Sequence, residues 1–205
     1  RIALVVMATS RDPVGSGFIA SLARPGGNIT GMTGDPTPEM QGKRLELLLQ
    51  AVPRVTRVGL LWSPRPPGAQ TYRGEVESAA RKLGVSLVAV EARARGDFEA
   101  AFAALAQAGA DALVVLPDPV FFTARKQVVE WATSYRLPAI YHAREVVEQG
   151  GLMSYGVNLA DQFRQGGFPE EDVHVLPFRV ETGEETASLV VRYRGDGSSG
   201  KRPIL

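Results

Sequence analysis

Cysteine is absent from this chain, which excludes disulfides, thiolate metal sites and a cysteine nucleophile. Histidine is nearly absent: His142 and His174 are the only two, too few for a histidine-built metal centre. An excess of either charge is also missing. The 23 basic and 22 acidic residues leave a net charge of +1, without the electrostatic footprint of a nucleic-acid or acidic-membrane binder. No apolar run reaches the roughly 18 residues that a membrane-spanning helix needs. Arg1 runs directly into the apolar stretch Ile2–Met7, without the pattern of a secretory leader. The P-loop, nucleophile-elbow and zincin motifs are all missing. No cofactor is indicated. What the chain does have is 205 residues, 44% of them hydrophobic, enough to build the core of one large domain or two small ones.

The apolar residues come in short, unalternating runs. Ile2–Met7, Val58–Trp62, Ser86–Val90, Ala112–Leu116, Pro138–Tyr141 and Leu152–Tyr155 read as strands, with Asn28–Met32 a further short extended piece. Helical spacing and end signals predict helices over Pro13–Ala23, Glu39–Ala51, Gln70–Leu83, Phe98–Ala108, Phe121–Tyr135 and Arg144–Glu148. Asp12, Asp97 and Asp118 stand where N-caps belong, and Gly84 where a C-cap belongs. From Val55 to Tyr155 strand and helix alternate strictly. That pattern predicts an α/β fold, a doubly wound parallel sheet with helices on both faces.

In open α/β sheets ligands bind beyond the carboxyl ends of the strands. Residues at those positions are Asp12 with Thr9, Ser10 and Arg11; Ser63 with Trp62 and Arg65; Asp118 with Phe121 and Phe122; Tyr141 and His142 with Arg144 and Glu145; and Tyr155 with Gly156 and Asn158. Aromatics, carboxylates and small hydroxyls together suit a small polar ligand better than a catalytic constellation. Each also has a structural role open to it. Asp12 and Asp118 can simply cap helices, Trp62, Tyr141 and Tyr155 can pack, and His142 can be an ordinary core histidine. Gly15-Ser16-Gly17 lacks the third glycine of a dinucleotide fingerprint. Neither histidine has an obvious serine and aspartate companion for hydrolysis.

Several strings then agree with one family in order and spacing. They are Asp12 to Gly31 (DPVGSGFIASLARPGGNITG), Gly42 to Leu48 (GKRLELL), Leu116 to Pro119 (LPDP), Leu137 to Tyr141 (LPAIY) and Glu148 to Gly156 (EQGGLMSYG). Over about residues 1–165 the chain resembles the ABC transporter substrate-binding proteins, the family that includes the tryptophan-binding receptors. The resemblance implies a type I periplasmic-binding-protein fold of two α/β lobes around a cleft. It also implies an extracytoplasmic solute carrier, without catalytic residues, that hands an amino-acid-like ligand to ABC permease subunits. On this reading residues 1–34 are a remnant of the first lobe, whose larger part lies upstream, and residues 35–165 form the ligand-binding lobe. Residues 166–205 are a divergent tail with short β-like runs at Val173–Val180 and Ser188–Tyr193. By position the resemblance carries ligand contacts onto Asp12, Ser63, Asp118, Tyr141 and Tyr155, with His142 beside them. Two other readings fit the fold: a ligand-sensing domain of a regulator, and a flavodoxin-like enzyme domain.

Overall fold

The fold is that of a computed structural model, which describes residues 4–9, 13–14, 17–21, 23–33, 38–66, 68–157, 173–179 and 185–191. Five strands form the central sheet: β3 (Arg57–Trp62), β4 (Ser86–Glu91), β5 (Ala112–Val115), β6 (Ala139–Tyr141) and β7 (Met153–Ser154). Two strands precede them, β1 (Leu4–Thr9) and β2 (Ile29–Thr33), paired in parallel with each other. The sheet order is β4-β3-β5-β6-β7, and every neighbouring pair is parallel. The chain therefore steps outward from β3 to β4, then crosses back to β5 on the other side. The strand order reverses between β3 and β5, which makes the carboxyl ends of those two strands the topological switch point.

Period-two alternation sorts the core into two halves. Val58, Leu60, Trp62, Ala112, Val114, Leu116 and Ile140 pack with α1 (Glu39–Ala51) and α2 (Ala69–Leu83) through Leu45, Leu48, Tyr72 and Val76. Leu61, Leu113, Val115, Ala139 and Tyr141 pack the other way, with α3 (Phe98–Gln107), α4 (Pro119–Thr123), α5 (Arg125–Ser134) and α6 (Arg144–Val147). Gly59 marks how tightly α3 is seated: a Cβ there would stand 2.7 Å from Leu105 Cδ2. The doubly wound parallel sheet expected from the sequence is thus present. Gly84 ends α2 in the left-handed conformation, φ 71°, as a C-cap glycine should.

Three expectations need correction. The helix expected over Pro13–Ala23 is absent among the described residues of that stretch, which form turns. Phe18 N–H bonds Pro13 C=O instead of a helical partner, and Gly17 sits at φ +72°. Val14 and Phe18 are 40% and 42% exposed, so neither of these apolar side chains is buried to offset the cost of ordering a short glycine-rich helix. The helix expected over Phe121–Tyr135 is two helices, broken at Ala124 (φ −95°, ψ 20°). Asp97 heads α3 but makes no side-chain cap. Its carboxylate instead accepts from the Arg93 and Ala94 N–H groups, closing the 3-10 turn Arg95–Asp97. In the tail, β8 (Val173–Arg179) and β9 (Glu185–Val191) form an antiparallel pair in register from Val173↔Val191 to Arg179↔Glu185, the second strand starting earlier than the sequence suggests.

Candidate ligand-binding site

The switch point brings two of the sequence-selected residues together. Ser63 follows β3 and Asp118 follows β5, and they are 3% and 5% exposed. The Ser63 hydroxyl hydrogen-bonds the Asp118 carboxylate and accepts weakly from Arg65 N–H at 3.4 Å. Asp118 also caps α4, its Oδ1 accepting from Val120 N–H at 2.6 Å, with Pro119 at the first helical position. Burial raises the Asp118 pKa above the usual carboxylate value. The Val120 N–H, the Ser63 hydroxyl and the nearby Arg65 charge pull the other way without cancelling it. The result is a desolvated carboxylate held in place by its own helix.

The second group lies along β6 and β7. Tyr155 N–H donates to Tyr141 C=O at 3.0 Å, which aligns the two strand ends. The Tyr141 side chain is 2% exposed and lies against Gly151, where a Cβ would come within 2.8 Å of its ring, and burial pushes its phenol pKa up. His142 faces Phe122 at a ring distance of 6.0 Å. Its Nδ1 is buried without a hydrogen-bond partner among the described residues. Burial, then the Arg44 charge, lowers its pKa to about 3, so the ring is neutral. Tyr155 is 40% exposed, an aromatic ring left open at the carboxyl edge of the sheet. Trp62 is buried, with the Arg73 guanidinium 4.8 Å above its ring. Arg144 points away into an exposed pair with Glu148 at 3.0 Å. Asp12 lies outside the described residues.

Two buried polar residues escaped the sequence reading. Gln41 and Arg44 of α1 are both fully buried. Arg44 Nε donates to Tyr155 C=O at 2.6 Å, and its Nη1 donates to Gln41 Oε1 at 2.5 Å. A signal was available: positions 41, 44, 45 and 48 share one helical face, so a glutamine and an arginine lie on the stripe that buries Leu45 and Leu48.

No group of three or more metal-ligating side chains occurs among the described residues, and no helix among them is long and apolar enough to cross a membrane. A groove of about 410 Å³ lined by Arg95, Thr123, Lys126, Gln127 and Glu130 contains none of the sequence-selected residues.

Known proteins give this geometry a context. Residues 3–168 match the family model described as ABC transporter substrate binding protein. The tyrosine-binding protein of Clostridioides difficile (strain R20291) is 23% identical over 154 residues, 75% of this chain and 44% of that protein. Among solved structures, the ABC domain in complex with L-Trp from Streptococcus pneumonia superposes with a TM-score of 0.67 at 24% identity, over 78% of this chain and 59% of that one. A conserved domain protein from Vibrio cholerae O1 biovar El Tor strain N16961 gives 0.68 at 25% identity, over 80% and 60%. The chain spans less than two thirds of the length of each of these relatives. With a family match running through both β1–β2 and the five-stranded lobe, the chain belongs to the ABC transporter substrate-binding proteins.

Proposed function

We propose that this chain carries the solute-holding lobe of an ABC importer's extracytoplasmic receptor, and that its solute is an amino acid or a close analogue. The observation that carries this reading is the Ser63–Asp118 pair at the switch point of a chain of this family. In the proposed arrangement residues 35–165 supply one wall of an interlobe cleft, residues 1–34 belong to the opposite lobe and residues 166–205 lie beyond it. Asp118 presents its desolvated carboxylate to the solute's ammonium group, a charge-assisted contact that gains strength from burial. Ser63 orients that carboxylate. Tyr155 offers a ring face to an aromatic or apolar solute side chain, and Tyr141 and His142 back the wall. Asp12 is a further proposed contact, by the family resemblance. The work is non-covalent: the solute is held, the lobes close over it and the closed form is presented to the permease.

Calorimetric titration of the purified chain with L-tryptophan and L-tyrosine tests the reading, those being the solutes named for two relatives. Saturable one-site binding is expected for at least one of them. Asp118→Asn retains a good capping side chain, so stability changes by less than about 0.5 kcal/mol. Affinity falls about tenfold or more, the loss of one charged hydrogen bond. No heat with either solute overturns the amino-acid reading. Unchanged affinity in Asp118→Asn overturns the ammonium contact alone.

A further inference from the structure

Arg44 is a fully buried guanidinium on the first helix of the lobe, and its Nε reaches 111 residues along the chain to the carbonyl of Tyr155. The loop it reaches has no slack. A Cβ at Gly156 would collide with the His142 carbonyl oxygen and stand 3.4 Å from Arg44 Nη2, so only glycine lets the chain pass between them. Gln41, one helical turn earlier, holds Nη1 at 2.5 Å and fixes the plane of the guanidinium. α1 is the first element of the lobe and the Tyr155 loop follows its last strand. One side chain therefore ties the lobe's first helix to its last loop, at the carboxyl edge where Tyr155 stands open.

We infer that Arg44 is a positioning residue: it pins the Tyr155–Gly156 loop against His142 and so fixes the wall that Tyr155 presents to a solute. The inference rests on the proposed function for its solute and on geometry alone for the pin. A buried arginine serving only to fill the core would stabilise the whole lobe evenly. A pin stabilises one loop more than the rest.

Amide hydrogen exchange on the full chain separates these. The Tyr155 amide is the reporter, since its bond to Tyr141 C=O closes when the loop is seated. Arg44→Met is compared with Leu48→Ala, a control on the same helical face that removes no polar group. Arg44→Met is expected to speed Tyr155 exchange by about tenfold or more relative to the ladder amides of β3 and β5. Leu48→Ala does not raise that ratio, even when it costs as much global stability. Gly156→Ala reaches the same loop from the other side with Arg44 intact, and the same selective acceleration is expected. Even acceleration across the sheet in both Arg44→Met and Gly156→Ala overturns the pin.

The solute side is read with L-tryptophan by calorimetry. Its Kd is expected to rise about tenfold in Arg44→Met and less than about twofold in Leu48→Ala. A selective exchange effect with an unchanged Kd overturns the link to the solute wall. A wild-type chain that takes up neither L-tryptophan nor L-tyrosine overturns the proposed function and removes the solute from the inference, while the exchange ratios still decide the pin.

Discussion

The two faces of the sheet solve the same problem with different materials. On the α3–α5 face the core is aromatic. Phe98, Phe102, Phe121 and Tyr141 are buried, and Trp131 and Tyr135 stack on Phe102 at 6.2 and 6.1 Å. On the α1–α2 face the core is mainly aliphatic, with Leu45, Leu48, Leu60, Val76, Val114 and Ile140 around two buried rings, Trp62 and Tyr72. Ring contacts carry their own geometry, so the first face fixes its helices by shape. Branched aliphatic side chains fix volume but little orientation. That second face also carries the Arg44 hydrogen bonds to Gln41 and Tyr155. A face with fewer ring-on-ring contacts gains direction from a polar cluster, at the cost of burying a charge.

The comparison breaks most readily at Phe102. It is fully buried, and its removal empties one side of the Trp131–Tyr135 stack. Phe102→Ala is expected to cost about 3–5 kcal/mol, and Leu48→Ala on the other face about 2–4 kcal/mol. Urea unfolding of the two variants measures the difference. A larger loss at Leu48 would mean that ring stacking adds nothing beyond buried area, and the contrast between the faces would fall.

Much of this was legible in the sequence, for identifiable reasons. Strands such as Val58–Trp62 are buried on both faces, so their apolar runs are unbroken, and Gly84 closes α2 where only a left-handed residue fits. What was not legible depends on tertiary contact. The Pro13–Ala23 segment has helical end signals, but Val14 and Phe18 stay 40% and 42% exposed, and no burial of theirs supports a helix. The break at Ala124 has neither glycine nor proline near it to mark it. At the site, Asp118 was visible as both cap and candidate, and the structure shows that it caps. Arg44 was legible only as a polar residue on a buried helical stripe; its partner, a carbonyl 111 residues away, was not.

His142 offers a smaller test of the polar side of the comparison. Its folded pKa is lowered to about 3 from 6.5, so the folded chain refuses a proton that the unfolded chain accepts. The stability this gives is complete above about pH 6.5 and is lost as pH falls toward the folded value. The slope is at most about 1.4 kcal/mol per pH unit, and less in practice because part of the residue reaches solvent. Asp118, with its raised pKa, acts in the opposite sense, contributing stability that is lost as pH rises, and it is common to both proteins compared. Unfolding free energies of wild type and His142→Gln, taken between pH 7 and pH 5, isolate the histidine. The wild type should lose stability across that range relative to the variant. Parallel curves would mean that the ring accepts its proton in place, and that burial and the Arg44 charge do not hold it neutral.

The smallest effect sits one residue from the largest polar one. Lys43 and Arg44 are adjacent cations on α1, yet Lys43 faces outward, with its Nζ 2.9 Å from Glu46 Oε2 and the two side chains 44% and 40% exposed. Water solvates both partners, salt screens them, and holding two long side chains together costs entropy. Lys43→Ala is therefore expected to change stability by no more than about 0.5 kcal/mol, and by less in 1 M salt. Glu46 keeps a second partner in any case, since Gln50 Nε2 donates to its other oxygen at 3.0 Å. Paired unfolding curves at low and high salt measure this, beside Arg44→Met under the same conditions. The Arg44 effect should be insensitive to salt, because a fully buried guanidinium is out of reach of counterions. If salt erased both effects alike, the charge of α1 would be acting at long range, and the position of Arg44 against Tyr155 would not be what distinguishes the two residues.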